Sequence, residues 1–157
     1  MTIVQHDVLK ALNDWGESLI AISRAYEDKG LESARAIAEQ TLDRLYGFEL
    51  GPVLFKPTLS GGPHTFRPTK IGALSYFIGN DPEYPNDSGF AIKFWRSVKP
   101  ETSATFIQSD VAMWMGWVSF IDKNNSIVKV DKTFGYTKDK NGTLKIVLHH
   151  SSLPFEA

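Results

Sequence analysis

Apolar residues in the first third of the chain recur every three or four positions, which is the spacing of one face of an α-helix. This stripe consists of Val4, Val8, Leu12, Trp15, Leu19, Ile22 and Tyr26. Thr2 and Gln5 are spaced as a capping box at its start, and Gly30 is placed to end the helix. A second helix is predicted from about Leu31 to Tyr46, with Gly47 ending it.

The helical period breaks in the segment "GPVLFKPTLSGGPHTFRPT". Its "VLF" predicts a short strand, and Pro57 cannot donate to a strand ladder, so this strand is expected at the edge of a sheet. Thr69 is a suitable N-cap for a third, short helix, "KIGALSYFIG", which Gly79 closes. The residues from Asn80 to Ser88 are predicted to form a surface loop.

From Phe90 onward the pattern is that of β-strands. The predicted strands are "FAIKFWRSV", "SATFIQS", "VAMWMGWVSFI", "SIVKVDKTFGYTK" and "TLKIVLHHSS", and "DKNG" between the last two is a hairpin signal. Helices followed by an antiparallel meander predict an α+β fold in which the helices cover one face of the sheet. If that sheet curls around the helices, it forms a cone with a cavity. We expect residues 1–157 to form one domain.

Composition and charge exclude several function classes. A net charge of −1 gives no electrostatic reason to expect a nucleic acid or an anionic membrane as partner. The uncharged stretch between Asp110 and Asp122 is too short to span a bilayer. The absence of cysteine excludes disulfides, thiolate zinc sites and cysteine nucleophiles. The first residues carry charges where a signal peptide needs an apolar core, so the cytoplasm is the expected location unless an upstream targeting segment is missing.

The polar run "HHSS" at the end of the last predicted strand calls for an explanation. His149 and His150 should point to opposite faces of the strand, and no HxH or HExxH spacing occurs, which argues against a zinc site. His149 and Ser151 share a face and could be a base and a nucleophile, although a hydrogen-bonded strand end is the more common case. The residues by themselves thus indicate a pocket with a polar end, without an activity.

The later strands are rich in aromatic residues, which we interpret as core and subunit interface. A stacking platform for nucleic acid would need basic residues beside the rings. The aromatic outer strands therefore lead us to expect a homodimer. The residues concerned are Trp95, Trp114, Trp117, Phe120, Phe134 and Tyr136.

The ending "DKTFGYTKDKNGTLKIVLHHSSLPF" resembles the C-terminal hairpin of the NTF2-like superfamily, in the branch related to the association domain of calcium/calmodulin-dependent protein kinase II. The segments "GPVLFKPTL", "FRPTKIGALSYFIG" and "GFAIKFWRSV" narrow the resemblance to the iota-class carbonic anhydrases of bacteria and algae. The similarity runs from about Asp7 to Phe155. It implies an NTF2-like cone and the reversible hydration of carbon dioxide to bicarbonate, with these small molecules as the ligands.

The resemblance also implies a set of catalytic residues. Thr58 comes from "FKPT", Tyr76 from "ALSYF", and His149 and Ser151 from the terminal motif, with Thr58, Tyr76 and Ser151 also binding substrate. Members of the class have been described as metal-free and as manganese-dependent, and the paucity of ligands here favours a site with no metal and no other cofactor. In our hypothesis Tyr76 and Thr58 polarise a water molecule, and His149 accepts or relays its proton.

Other interpretations of these residues remain open at this stage. Tyr76 could be an ordinary core residue, Arg67 could bind bicarbonate or pair with a surface acid, and Asp131 with Lys132 could form a cross-strand charge pair without a catalytic role. Two other functions compete with hydration of carbon dioxide. An isomerase or cyclase would need an acidic base, for which the strands offer little beyond Asp110 and Asp131. The third candidate is an oligomerisation module without catalysis.

Overall fold

The computed structural model describes residues 2–157 and confirms an α+β fold. The helices are α1 (Gln5–Lys29), α2 (Leu31–Leu45) and α3 (Lys70–Ile78). The strands are β1 (Leu54–Lys56), β2 (Trp95–Gln108), β3 (Val111–Asp122), β4 (Ile127–Lys138) and β5 (Leu144–Ser152). Short 3-10 turns cover Gly62–His64 and Phe90–Ile92. None of the helices within residues 2–157 is long and apolar enough to cross a membrane.

The ends of the first two helices follow from local hydrogen bonding. The predicted capping box of Thr2 and Gln5 is wrong, because α1 begins after Val4, whose N–H donates to Asp7 Oδ2 at 2.9 Å. Asp7 thus supplies the acceptor that Thr2 was expected to provide. The prediction for Gly30 is confirmed: it ends α1 and precedes α2 with φ +90°, a conformation that costs glycine little.

The five strands form one open sheet in the order β1-β5-β4-β3-β2. Strands β2 to β5 form an antiparallel meander, while β1 pairs in parallel with β5 through Leu54 and Leu148. Strand β1 lies at an edge, as Pro57 predicted. This parallel pairing matters for the site, because it places the chain that follows β1 beside the end of β5.

The prediction of separate strands "FAIKFWRSV" and "SATFIQS" is wrong. One continuous strand, β2, runs through both, and the chain before Trp95 turns in the 3-10 segment that follows Gly89. Strand β2 tolerates Pro100 because it is the other edge of the sheet, where a missing N–H breaks no second ladder. A bulge between Thr102 and Ala104 interrupts its register.

The helices cover one face of the sheet, with α1 packing on β2 and α2 packing on β5. Strand β3 shows the alternation clearly, since Trp114, Val118 and Phe120 are buried beneath the helices while Met113 and Met115 are exposed on the other face. The prediction that the aromatic strands form the core is confirmed for most of the residues named: Trp95, Trp114, Phe120, Phe134 and Tyr136.

Candidate active site

A small cavity lies on the covered face of the sheet, between α3, the chain after β1 and the inner faces of β4 and β5. The volume open to the centre of a water molecule is about 10 Å³, which is room for roughly one water. Of the predicted site residues, Thr58, Tyr76 and His149 line this cavity, and Ser151 lies directly behind Thr58. The lining is completed by Trp15, Phe55, Pro57, Phe77, Phe90 and Lys132.

Thr58 and Ser151 hold their hydroxyl oxygens 2.6 Å apart. The Ser151 hydroxyl also donates to the carbonyl of Asp131 at 3.1 Å, which uses its only proton. Thr58 therefore donates to Ser151, and the lone pairs of the Thr58 oxygen stay available to accept a hydrogen bond. Thr58 and Ser151 meet because Lys56, shortly before Thr58, pairs in parallel with His150, just before Ser151.

Tyr76 reaches the cavity from α3, whose N-terminus is capped as predicted by the Thr69 side chain. The Tyr76 hydroxyl accepts a hydrogen bond from the Leu59 N–H at 3.2 Å. Burial raises the pKa of Tyr76 to about 12, although hydrogen bonding with Leu59 and Thr58 offsets part of the effect. The hydroxyl thus stays protonated at neutral pH and is able to donate a hydrogen bond.

His149 is buried between the rings of Phe55 and Phe134, each centred 4.5 Å from the imidazole. Its Nδ1 lies 2.8 Å from the Tyr46 hydroxyl, which accepts a hydrogen bond from Trp15 Nε1. Its Nε2 lies 2.9 Å from Lys132 Nζ. Burial, together with the charge of Lys132, lowers the pKa of His149 well below its usual value, so the ring is neutral at pH 7.

Lys132 also lines the cavity, although the sequence was interpreted as giving it a charge pair with Asp131 and no catalytic role. The expected charge pair with Asp131 is wrong: Lys132 is 3% exposed, makes no ion pair within residues 2–157, and points to the inner face of β4. Burial lowers the pKa of Lys132 to about 7. The sequence did hold a signal, because Lys132 occupies the same alternating positions as Val130 and Phe134, which face the core.

Arg67 pairs with an acid, as one interpretation held, but the pair is buried rather than on the surface. Its guanidinium donates to both carboxylate oxygens of Asp87 at 2.7 and 2.8 Å. Both side chains are 3% exposed, and the Ser75 hydroxyl also donates to Asp87. The ion pair fastens the loop after α3 to the segment before the helix, while Ser75 fastens the loop to the helix itself, so Arg67 has a structural partner for its charge.

His149 and His150 point to opposite sides of β5, as predicted, with His150 exposed to solvent. Among residues 2–157 no group of three or more histidine, cysteine, aspartate or glutamate side chains is placed to hold a metal ion. The polar groups at the cavity are instead hydroxyls, an imidazole and an amine.

Comparison with known proteins identifies the family. Residues 6–153 match the family model described as metal-independent carbonic anhydrase. The chain belongs to this family. A metal-independent carbonic anhydrase from Nostoc sp. (strain PCC 7120) is 49% identical over 154 residues, which cover 98% of this chain and 75% of that relative. The resemblance to iota-class carbonic anhydrases is thereby confirmed, and reversible hydration of carbon dioxide is the activity of this carbonic anhydrase.

Solved structures agree with this carbonic anhydrase fold. The crystal structure of an iota-carbonic anhydrase from a cyanobacterium, complexed with bicarbonate, has a TM-score of 0.98 and 49% identity, covering 99% of this chain and 95% of that one. A chain from Xanthomonas campestris, named after the calcium/calmodulin-dependent protein kinase II association domain, has a TM-score of 0.59 at 21% identity. The match covers 96% of this chain and 87% of that one, and it shows that the two share a fold.

Proposed function

We propose that this carbonic anhydrase hydrates carbon dioxide at the cavity around Thr58, Tyr76, His149 and Ser151. The observation that carries the proposal is their convergence, from α3, β5 and the chain after β1, on a space with room for roughly one water. The cyanobacterial relative was crystallised with bicarbonate, which supports bicarbonate as the ligand here. Because the cavity is so small, the side chains around it must move when substrate enters.

A route for that entry is offered by a surface pocket of about 170 Å³ that shares two walls with the cavity, Tyr76 and Phe90. The two rings stack with centroids 5.8 Å apart. Among the described residues, they are the ones that line both the surface pocket and the cavity. Carbon dioxide is uncharged, so an aromatic passage receives it at little desolvation cost. A small rotation of Phe90 would join the pocket to the cavity.

The hydroxyl groups then serve water and product in different ways. Tyr76 accepts from Leu59, so its own O–H can turn from Thr58 and donate to the substrate oxygen on which negative charge develops. The Thr58 oxygen, with its proton directed to Ser151, accepts a hydrogen bond from the attacking water and aims the water oxygen at carbon. The site in this proposal works by positioning and by stabilising the anion.

Stopped-flow hydration of carbon dioxide, with a pH indicator and with protein treated with chelator and checked for residual metal, tests the proposal. We expect turnover in the metal-depleted protein, a large fall in Thr58→Ala and a smaller fall in Ser151→Ala. His150→Ala and Ser152→Ala are matched controls, because they lie on the same strand but outside the cavity. Turnover that depends on added manganese or zinc would contradict the mechanism, and equal loss in the controls would contradict the location.

We also propose a homodimer that buries the outer face of β2 and β3. Phe106, Met113 and Met115 form an exposed apolar patch there, with exposed fractions of 55%, 41% and 57%, and Phe106 pairs directly with Met113 across the two strands. Apolar side chains grouped in this way are typical of subunit contacts. Light scattering after size exclusion should give twice the chain mass, and Met113→Glu should give the monomer; a monomeric parent protein would contradict the proposal.

Two sequence predictions stay proposals of the same kind. One is that residues 1–157 act as a single domain, and the other is that the protein works in the cytoplasm. Limited proteolysis that leaves one resistant core, and fractionation of cells that express the protein from its native gene, are the respective measurements.

A further inference from the structure

We propose that Lys132, and not His149, is the base that takes the proton of the attacking water. The inference rests on the proposed function, since it assigns a new catalytic residue to the same cavity. Lys132 lines the cavity together with Thr58 and Tyr76, and its strand position is directly opposite Ser151 in the β4–β5 pairing. Lys132 is therefore part of the wall of the space where the water must lie.

The hydrogen bonds of His149 leave neither of its ring nitrogens free to bind that water. Both ring nitrogens are used by protein groups, Nδ1 by the Tyr46 hydroxyl and Nε2 by Lys132 Nζ. The Phe55 ring stacks on the imidazole, and the Phe134 ring packs against it at a tilt from the strand on the other side of β5. A proton from the cavity reaches His149 only through one of its two partners, and of these Lys132 is the one that lines the cavity.

Lys132 Nζ has the opposite arrangement. Within residues 2–157 its hydrogen-bond partner is His149 alone, and the amine otherwise lies near aromatic rings, with the centre of Trp15 4.9 Å away and those of Phe120 and Phe134 5.8 and 5.9 Å away. In the proposed arrangement His149 carries its proton on Nδ1, toward the Tyr46 oxygen, so that Lys132 donates one N–H to Nε2 and keeps its lone pair for a water in the cavity. The geometry therefore gives the amine, unlike the imidazole, a free acceptor position at the reacting water.

The surroundings of this amine favour its neutral form. Removing an ammonium ion from water is costly unless a carboxylate pairs with it, and no carboxylate makes an ion pair with Lys132 within residues 2–157. Burial lowers its pKa to about 7, while nearby Asp131 raises it and Lys56 lowers it. The uncharged groups that face it are His149 and the hydroxyls of the site. A base with a pKa near the working pH is the most effective kind.

The chemical step balances without any further reactant. The water oxygen bonds to the carbon of carbon dioxide, one C=O electron pair moves onto oxygen, and the water O–H bond breaks with its proton passing to Lys132 Nζ. The products are bicarbonate and an ammonium ion, side by side in the cavity, and the ammonium then returns its proton to buffer. His149 becomes a positioning residue in this proposal, in which Nε2, 2.9 Å from Lys132 Nζ, accepts the N–H that orients the Lys132 lone pair.

Three variants of the full chain test this assignment. Lys132→Met removes the base and keeps the apolar length, and Lys132→Arg keeps a charge that does not dissociate near neutral pH. Lys129→Met is the matched control, an exposed lysine on the same strand. By stopped flow we expect kcat to fall about 100-fold or more in both Lys132 variants, the size of a lost general base, and to stay unchanged in the control.

The pH profile and chemical rescue separate a base from a merely structural residue. In the parent protein kcat/KM should rise through an apparent pKa near 7, and this step should be absent in Lys132→Met. In Lys132→Ala, methylamine or ethylamine in the buffer should restore part of the rate, with an effect that follows amine basicity. Folding of each variant is checked by circular dichroism, so that a loss of activity is compared only between folded proteins.

The outcomes distinguish the inference from the proposed function. If Lys132→Met retains the parent kcat while Thr58→Ala loses it, the site stands and the Lys132 assignment is overturned. If Thr58→Ala also retains activity, the proposed location itself has failed. A nitrogen-15 spectrum that shows the proton of His149 on Nε2 would overturn the assignment as well, because the Lys132 lone pair would then be engaged. So would a carbon-13 signal of a carbamate on Lys132 under labelled carbon dioxide.

Discussion

Thr58 and Ser151 are 93 positions apart in the chain, yet their hydroxyl oxygens lie 2.6 Å from each other. Neither residue meets the other through a hairpin, because β1 joins the sheet in parallel with β5. The contact is also directional, since Ser151 gives its proton to the Asp131 carbonyl. One hydroxyl thus fixes the orientation of the other, and only Thr58 lines the cavity.

We predict that Thr58 and Ser151 act as one unit. Thr58→Ala should lower kcat/KM by about 100-fold, the size found for loss of one oriented hydrogen-bonding group at a reacting centre. Ser151→Ala should lower it less, because Thr58 keeps its hydroxyl but loses its orientation. The double variant should be no worse than Thr58→Ala, and Thr58→Ser should restore most of the activity. Additive losses in a double-mutant cycle would contradict the coupling.

Tyr76→Phe should reduce kcat with little change in stability. The hydroxyl is the donor proposed for the developing anion, and the ring that fills the space against Phe90 is retained in the variant. We expect a loss of about 100-fold in kcat by stopped flow. Tyr26→Phe is the control, since Tyr26 lies on α1 and does not line the cavity. Full activity in Tyr76→Phe would remove Tyr76 from the mechanism.

The buried amine of Lys132 should make stability depend on pH. Its pKa is 10.5 as an unperturbed group and about 7 in the fold, so between these values the unfolded chain binds a proton that the folded chain does not. The free energy of unfolding therefore rises with pH in this window, up to the point near pH 10 where tyrosine ionisation begins to oppose it. Lys132→Met lacks this contribution and should be the more stable protein at pH 7 and below. Urea titrations at several pH values measure the difference between the two proteins.

If the difference in unfolding free energy between the parent protein and Lys132→Met stays constant from pH 7 to pH 10, the pKa of Lys132 is not lowered in the fold. All other ionisable groups are shared by the two proteins, so their effects cancel. The comparison also shows whether the site costs the fold stability, as a buried and unpaired base should.

Asp87→Asn should destabilise the protein strongly without touching the reacting groups. The variant leaves the buried guanidinium of Arg67 without its charge partner, which typically costs about 3 kcal/mol or more. Glu27→Gln is the matched control, because it breaks a pair with Arg96 that is partly open to solvent and should change the unfolding midpoint little. Equal effects of the two variants would show that burial of the Arg67 pair is unimportant.

The sequence predicted the helices well because their apolar stripes, the Thr69 cap and Gly30 are local signals. It failed at the start of β2, where the turn of Phe90–Ile92 depends on packing against α1 and α3 rather than on local pattern. Site residues on α3 and β5 could be named from their motifs, and their roles stay predictions. The pairing of Thr58 with Ser151 could not be foreseen, since nothing local indicates that β1 joins in parallel.

Lys132 shows a different kind of failure. Its alternating position on β4 did indicate the inner face, but a lysine beside an aspartate is ordinarily on the surface. The expectation about residue type outweighed the pattern. The contact with His149 explains why the pattern was the better guide, because the amine has a polar partner inside.

The parallel pairing of β1 with β5 also has a consequence for the order of events during synthesis. Leu54 of β1 pairs with Leu148 of β5, so β5 must leave the ribosome before that edge of the sheet can close. Until then β1 has no strand partner, and Thr58 has no Ser151 to orient it. A nascent chain stalled before β5 would hold α1, α2 and most of the meander, yet it should have no turnover, and activity would appear abruptly when the last strand is released.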